Sequence, residues 1–341
     1  MMKFLFKLIL CSVFVSTVSA IALVPPPPAS ADSVDVFVPS APGGSRDVYA
    51  RFMARTLPKY LPGKPALIVK NMPGAGGDIM LNYLYHRAKK DGSAIATATN
   101  AMYRAQRLGI GSARYDLRNF NFIGAMPESP YFIVIRGDHP IKSFKDLLES
   151  KKPIFYGSES ETGVGSTEMI GHALKTMGVN LKFVPGYRGS ALRVASVLKG
   201  ELDVTLDRFA TSEDEIREGR LRVLLVLTHG DSVPPEIRGN APEWFKLDLT
   251  PEMRELSDFI VTPTDLDKTY LAPPGVPKKR VQELRTAFNK ALEDPTVKQI
   301  LKKRLAISPS VRGEVLQDDV MPRLLGVSQK TVTTIKGWIG R

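Results

Sequence analysis

The feature that most constrains this chain is a unit that recurs along it. A short apolar or β-branched run leads into a turn of glycine and other small residues, and a run with helical spacing follows. The first instance covers residues 34–55. Val34, Val36 and Val38 alternate as a strand does, Pro39 to Ser45 form the turn, and from Asp47 onward Val48, Phe52 and Arg55 fall at helical spacing. Residues 65–88, 152–177 and 182–198 repeat the pattern. Strands alternating with helices predict an α/β fold with a mostly parallel sheet and ligand loops at the carboxyl ends of its strands. Each turn also opens a helix at its positive end, where free backbone N–H groups attract a carboxylate or a phosphate.

Further strands are expected at 94–99 (ending at Asn100), 120–126, 131–135, 200–206 (ending at Asp207), 221–228 and 270–275. Residues 127–130 are placed as a hinge crossing. An amphipathic helix is expected over 278–304, interrupted near Pro295, and a helical tail over 315–339, packed on the first lobe. Residues 231–267, with Pro234, Pro235, Pro242, Pro251 and Pro263, give no readable pattern.

The first 31 residues stand apart. Lys3 and Lys7 precede an apolar run over 8–18, and both Val18-Ser19-Ala20 and Ala29-Ser30-Ala31 fit a small-x-small cleavage site. This reads as a secretory signal peptide, residues 1–31, with cleavage after Ala20 or Ala31. A membrane anchor is the competing reading, but the run is short for a span and Pro25 to Pro28 follow it. Cys11, the one cysteine, lies inside this segment behind Leu10 rather than a small residue, which argues against lipidation. The expected mature chain therefore has no thiol, and export without disulfides suits the periplasm. The formal net charge is +12, but the Lys and Arg are scattered among Asp and Glu without aromatic interleaving. That pattern, with export, argues against nucleic acid and suits a basic surface that favours anionic solutes.

Several enzyme signatures are missing. Thr162-Gly163-Val164-Gly165-Ser166-Thr167 lacks the Lys of a nucleotide-binding P-loop, and Gly74-Ala75-Gly76-Gly77 is not a dinucleotide fingerprint. There is no G-x-S-x-G elbow, and His86, His139, His172 and His229 are isolated, so no metal and no cofactor are expected. Anion-type loops without attached chemistry favour binding over catalysis.

The motifs resemble those of the tripartite tricarboxylate transporter substrate-binding proteins, the Bug family. The opening motif is Val38-Pro39-Ser40-Ala41-Pro42-Gly43-Gly44-Ser45-Arg46-Asp47, with Ala50-Arg51. It is followed in order by Asn71-Met72-Pro73-Gly74-Ala75-Gly76-Gly77, Asp91-Gly92, Gly163-Val164-Gly165-Ser166, Val184 to Gly189, Gly200 to Val204, and Ala272 to Pro277. The resemblance implies a two-lobed periplasmic binding protein, type II-like, that closes on a small carboxylate and passes it to membrane permease subunits. It implies lobe 1 over 32–130 plus 266–341, lobe 2 over 131–265, a monomer and no reaction. One wall would be Gly43, Gly44, Ser45, Arg46 and Asp47, and the opposite wall Gly163, Val164, Gly165 and Ser166. Tyr187, Asp207 and Asn100 would make lateral contacts.

The chain departs from the family pattern at three places. Arg46 stands where a small hydroxyl residue is common, Met169 replaces a usual His, and 231–267 lacks the usual Pro-Thr and Glu-Gly pattern. Arg46, Arg104 and Arg188 would suit a second acid group, which favours a dicarboxylate. Plainer readings stand beside these assignments. Asp47 fits as a first-turn helix acid, the Gly74 turn as backbone geometry, Tyr187 as core and Asp207 as a cap. A secreted α/β enzyme acting on a small anion is the alternative function.

Overall fold

The computed structural model describes residues 33–228 and 233–340. The signal-peptide reading, Cys11 and His229 lie outside them. The strands are β1 (Ser33–Val38), β2 (Ala66–Asn71), β3 (Ala94–Thr97), β4 (Asn121–Ala125), β5 (Tyr131–Arg136) and β6 (Ile154–Gly157). They continue as β7 (Leu181–Val184), β8 (Val204–Arg208), β9 (Leu221–Val226), β10 (Thr269–Ala272) and β11 (Val311–Arg312).

They form two mixed sheets flanked by helices, one of order β11-β4-β10-β3-β1-β2 and one of order β7-β6-β8-β5-β9. The two orders share a plan. In the first, β2, β1 and β3 run parallel and β10 arrives antiparallel from the far end of the chain. In the second, β7, β6 and β8 run parallel and β5 arrives antiparallel. The expected mostly parallel sheets are thus each interrupted by one strand delivered from the other side, and the first also ends in the short antiparallel edge strand β11. The chain crosses between the sheets over 126–130 and again between β9 and β10. Met126 N donates to the Lys268 carbonyl at 3.2 Å and Phe209 N to the Pro130 carbonyl at 2.9 Å, so the crossings are bonded to each other and to the second sheet.

One element boundary differs from the sequence reading for a local reason. Gly200, expected to open a strand, instead closes helix Ser190–Lys199 at φ 78°, a conformation glycine adopts freely, and β8 begins only at Val204. The expected 278–304 helix breaks at Pro295 as the sequence indicates, into Lys278–Glu293 and Pro295–Lys303, where Asp294 turns the chain and its carboxylate accepts from Thr296 N. The unreadable 231–267 region holds helix Pro235–Arg238 and the longer helix Pro251–Val261, entered through a Thr250 cap. The expected tail is helical, with a π-helical turn at Leu316–Val320 and a last helix Gln329–Trp338. It packs on helix Asn100–Leu108 but also reaches the second sheet's helices, since Trp338 stacks on His172 with ring centroids 5.2 Å apart.

The core is buried around these sheets, with Trp244, Tyr156, Phe132 and Phe288 among its largest side chains. Gly124 of β4 lies directly under Phe288, and a Cβ there would sit 2.5 Å from that ring. Gly124→Ala is therefore expected to lower stability by about 1–3 kcal/mol in urea unfolding, by forcing Phe288 off its packing position. An unchanged midpoint would show that the ring has room.

Candidate functional site

The glycine turns become helix starts. The helices that follow β1, β6 and β7 are Ser45–Thr56, Ser166–Thr176 and Ser190–Lys199. They begin at Gly44, Gly165 and Gly189 with no side-chain cap, and Asn100–Leu108 after β3 begins at Thr99 likewise. Elsewhere Ser143, Thr250, Asp294 and Ser328 cap their helices with side-chain oxygens, although the helices starting at Asp78, Phe209, Pro235 and Lys278, among others, are also uncapped. Uncapped first turns keep N–H groups and the positive end of the helix dipole available to an outside anion.

Two acids shape the walls from behind. Asp47 and Glu168 each occupy the third position of their helix. Asp47 accepts from Gly43 N at 2.8 Å, Arg51 Nε at 2.9 Å and Asn71 Nδ2 at 2.9 Å. Glu168 accepts from Glu159 N at 3.0 Å and Ser160 N at 3.3 Å. Both carboxylates reach back to loop N–H groups ahead of the cap, so with glycine at the cap the N–H groups of the first helical turn stay open. The glycines of the mid-chain loop are needed for this approach, because a Cβ on Gly165 would lie 2.5 Å from Glu168 Oε2.

Between the walls lies a cluster of charges. Arg46 pairs with Asp267, Arg208 stands 3.7 Å from Asp267 and 2.8 Å from Glu128, and Lys268 pairs with Glu128. Arg208 also lies over the Tyr131 ring at 4.1 Å, and Lys268 over Tyr49 at 4.3 Å. Glu128 and Lys268 are buried, whereas the side chains of Arg46 and Arg208 keep 26% and 20% exposure, so solvent reaches the two guanidinium groups. Burial acts to raise the pKa of Asp267. The charges of Arg46, Arg208 and Lys268 overcome it and hold the carboxyl below the usual range. Three cations against two carboxylates leave one positive charge uncompensated in a partly desolvated place, which a further anion would neutralise.

The structure joins several of the expected residues through this cluster. Asn100 donates from its backbone N to Asp267 Oδ1 at 3.3 Å and from Nδ2 to Ser166 Oγ at 3.2 Å, which links the two walls. Arg104 Nε donates to the Val164 carbonyl at 3.2 Å and its Nη1 to the Ile260 carbonyl at 3.1 Å. Its burial is complete and lowers its pKa to about 10, so Arg104 serves the mid-chain loop and the end of helix Pro251–Val261. Arg188 is exposed on its turn. Gly43, Gly44, Ser45, Gly163 and Gly165 form the open loops themselves. A half-open cavity of about 310 Å³ adjoins the mid-chain loop, lined in part by Gly76, Met102, Ala105, Val164 and Ile339.

Two expected residues stand apart. Tyr187 is half-buried against the cluster around Phe132 and Val194, and its carbonyl accepts from Arg193. Asp207 is fully buried, with Ser190, Ser212 and Arg193 around it, and burial raises its pKa. Arg208, the next residue of β8, is the one that joins the charge cluster. Side chains alternate along a strand, so Asp207 and Arg208 point to opposite faces of β8, and it is Arg208 that faces the charge cluster. Arg208, Glu128, Asp267 and Lys268 were absent from the sequence reading. The signal for Asp267 and Lys268 was their place just before the strand that enters the first sheet.

Asp47 yields a pH test. Its bonds to Arg51, Gly43 and Asn71 hold its pKa down to about 2, against burial. A depressed carboxylate adds stability above its unfolded pKa, near 4, and loses it as pH falls toward 2. Asp47→Asn should therefore lower the melting temperature at pH 7 and narrow the gap between pH 7 and pH 3. An equal drop at both pH values would contradict this.

The chain matches the family model described as "Tripartite tricarboxylate transporter family receptor", TctC, over residues 49–308. It is similar to Protein BugT of Bordetella pertussis, 25% identical over 95% of this chain and 97% of that one. A TctC solute-binding protein from Polaromonas, solved without ligand, has a TM-score of 0.69 at 20% identity, over 90% of this chain and 98% of that one. Rpa4515 of R. palustris, solved with adipate, has a TM-score of 0.60 at 21% identity, over 89% and 97%. The two mixed sheets are thus those of a periplasmic binding protein, and the family is one of receptors rather than enzymes. This chain belongs to the TctC family of tripartite tricarboxylate transporter receptors.

Proposed function

We propose that this chain is exported to the periplasm, where it captures a small carboxylate and delivers it as a monomer to the permease subunits of a tripartite tricarboxylate-type transporter. Two lobes, 32–130 with 266–341 and 131–265, close on the solute. The observation that carries this reading is the joint one above. Uncapped helix starts at Gly44 and Gly165, on opposite sheets, flank a charge cluster with one cation in excess. The solute carboxylate sits on the first-turn backbone N–H groups from Ser45 onward and on those of the Gly163–Ser166 loop, and against the guanidinium groups of Arg46 and Arg208, while Gly43 N and Gly44 N stay bonded to Asp47 and to the Ala41 carbonyl. Asp47 shapes the first loop without touching the solute, and Asn100 joins the walls. Binding at both walls favours the closed form by the difference in affinity between the two forms. The family's receptors, and a related protein solved with adipate, support a carboxylate as the solute class.

Two experiments test this. A ligand present at about 100 times its dissociation constant stabilises a fold by roughly 2.7 kcal/mol, which raises the melting temperature by several degrees. Mono-, di- and tricarboxylates should include a class that does this to the mature protein, while cationic amines should not. Failure of every acid with ligand-stripped protein would remove the carboxylate reading. Arg46→Ala should then weaken the stabilising acid by about tenfold or more, because one charge-assisted contact is lost. Unchanged affinity would take Arg46 out of the site.

A further inference from the structure

The back of the first ligand helix carries a second cationic surface. Val48, Phe52 and Arg55 stand on one face of helix Ser45–Thr56, and the end of helix Pro295–Lys303 lies alongside it with Ile300 and Lys303, followed by Arg304. A groove of about 650 Å³ runs between the two helices. Val48, Phe52, Ile300 and the Tyr49 ring give it an apolar floor, while Arg51, Arg55, Lys303 and Arg304 stand around it, and no carboxylate is among its lining residues. Arg51 is engaged by Asp47 and Asn71. Among the described residues Arg55, Lys303 and Arg304 form no ion pair, although other exposed cations do, such as Arg217 with Glu213 and Arg323 with Asp319. Clustered like charges repel, and an anionic partner relieves the repulsion.

The groove also touches the solute site. Arg304 lies over Tyr49 with its Cζ 5.3 Å from the ring centroid, and Lys268 Nζ lies 4.3 Å from the same centroid. Lys268 belongs to the charge cluster of Glu128, Arg208, Asp267 and Arg46. One aromatic ring therefore separates the groove from the cluster, and the helix that floors the groove starts at the solute loop.

We infer that this groove docks an acidic protein segment with apolar anchors, supplied by the membrane component that receives the solute. The carboxylates of the segment pair with Arg55, Lys303 and Arg304, and its apolar side chains sit on Val48, Phe52 and Ile300. The shape and charge fit an amphipathic acidic helix laid between two helices. The identity of the partner rests on the delivery reading above; the chemistry of the surface does not.

The test uses a short fluorescein-labelled peptide with Leu and Phe at helical spacing and Glu elsewhere, and its counterpart with Lys for Glu. Anisotropy is measured with the full mature protein, with and without Arg55→Glu and Lys303→Glu together. The Glu peptide should bind, weaken as salt rises, and lose about tenfold or more in affinity in the double variant, while the Lys peptide should not bind. Acid-induced thermal shifts on the same samples should be unchanged by the double substitution, which shows the fold and the solute site intact. Equal binding of the Glu peptide to parent and double variant, or binding no tighter than that of the Lys peptide, would overturn the proposal. So would retention on phosphatidylglycerol vesicles, lost in the double variant, with no peptide binding. If no acid shifts the parent, the delivery reading fails, while the peptide result still decides the groove.

Discussion

The structure depends on an excess of one positive charge placed where two sheets meet. Arg46 comes from helix Ser45–Thr56, Arg208 from the end of β8, and Glu128, Asp267 and Lys268 from the two crossing segments. Each carboxylate serves more than one cation, and the most exposed members of the group are guanidinium groups. Removing ions from water costs several kcal/mol each unless partners restore the lost hydration. The cluster meets that cost with close pairing, leaves its cationic side open, and ties both crossings to the glycine loops at helix starts Ser45 and Ser166.

Around this cluster the chain solves one geometric problem twice. A loop must leave the N–H groups of a helix's first turn bare and still hold its shape. Capping by Ser or Thr would occupy those donors. Glycine at the cap with an acid at the third helical position leaves them free while the acid secures the loop from the other side. Asp47 does so for the first loop and Glu168 for the mid-chain loop. Substituting either acid should therefore act on loop order before it acts on solute contacts.

The sequence made the recurring unit, the helix starts and the family motifs legible, because each is local. Asp47 was readable both as a ligand residue and as a first-turn acid, and its bonds to Gly43, Arg51 and Asn71 favour the second role. What was not legible is long-range. Arg46 meets Asp267 across 221 residues of sequence, and Lys268 meets Glu128 across 140. No local pattern encodes such pairs; they follow from the sheet order that brings β10 between β3 and β4. Asp207 was placed by the family resemblance alone; Arg208, its neighbour on the opposite face of β8, meets Glu128 and Asp267 only through distant segments. Residues 235–261 were obscured by prolines that begin or precede helices rather than breaking them.

The most direct measurement is a crystal structure of the mature protein with the acid that stabilises it most. The account predicts a carboxylate within about 3 Å of backbone N–H groups in both the 43–45 and 163–166 loops, with a guanidinium of Arg46 or Arg208 turned to it. A carboxylate bound elsewhere, or held by only one of the two loops, would contradict the claim that the charge cluster and the paired helix starts form one anion seat.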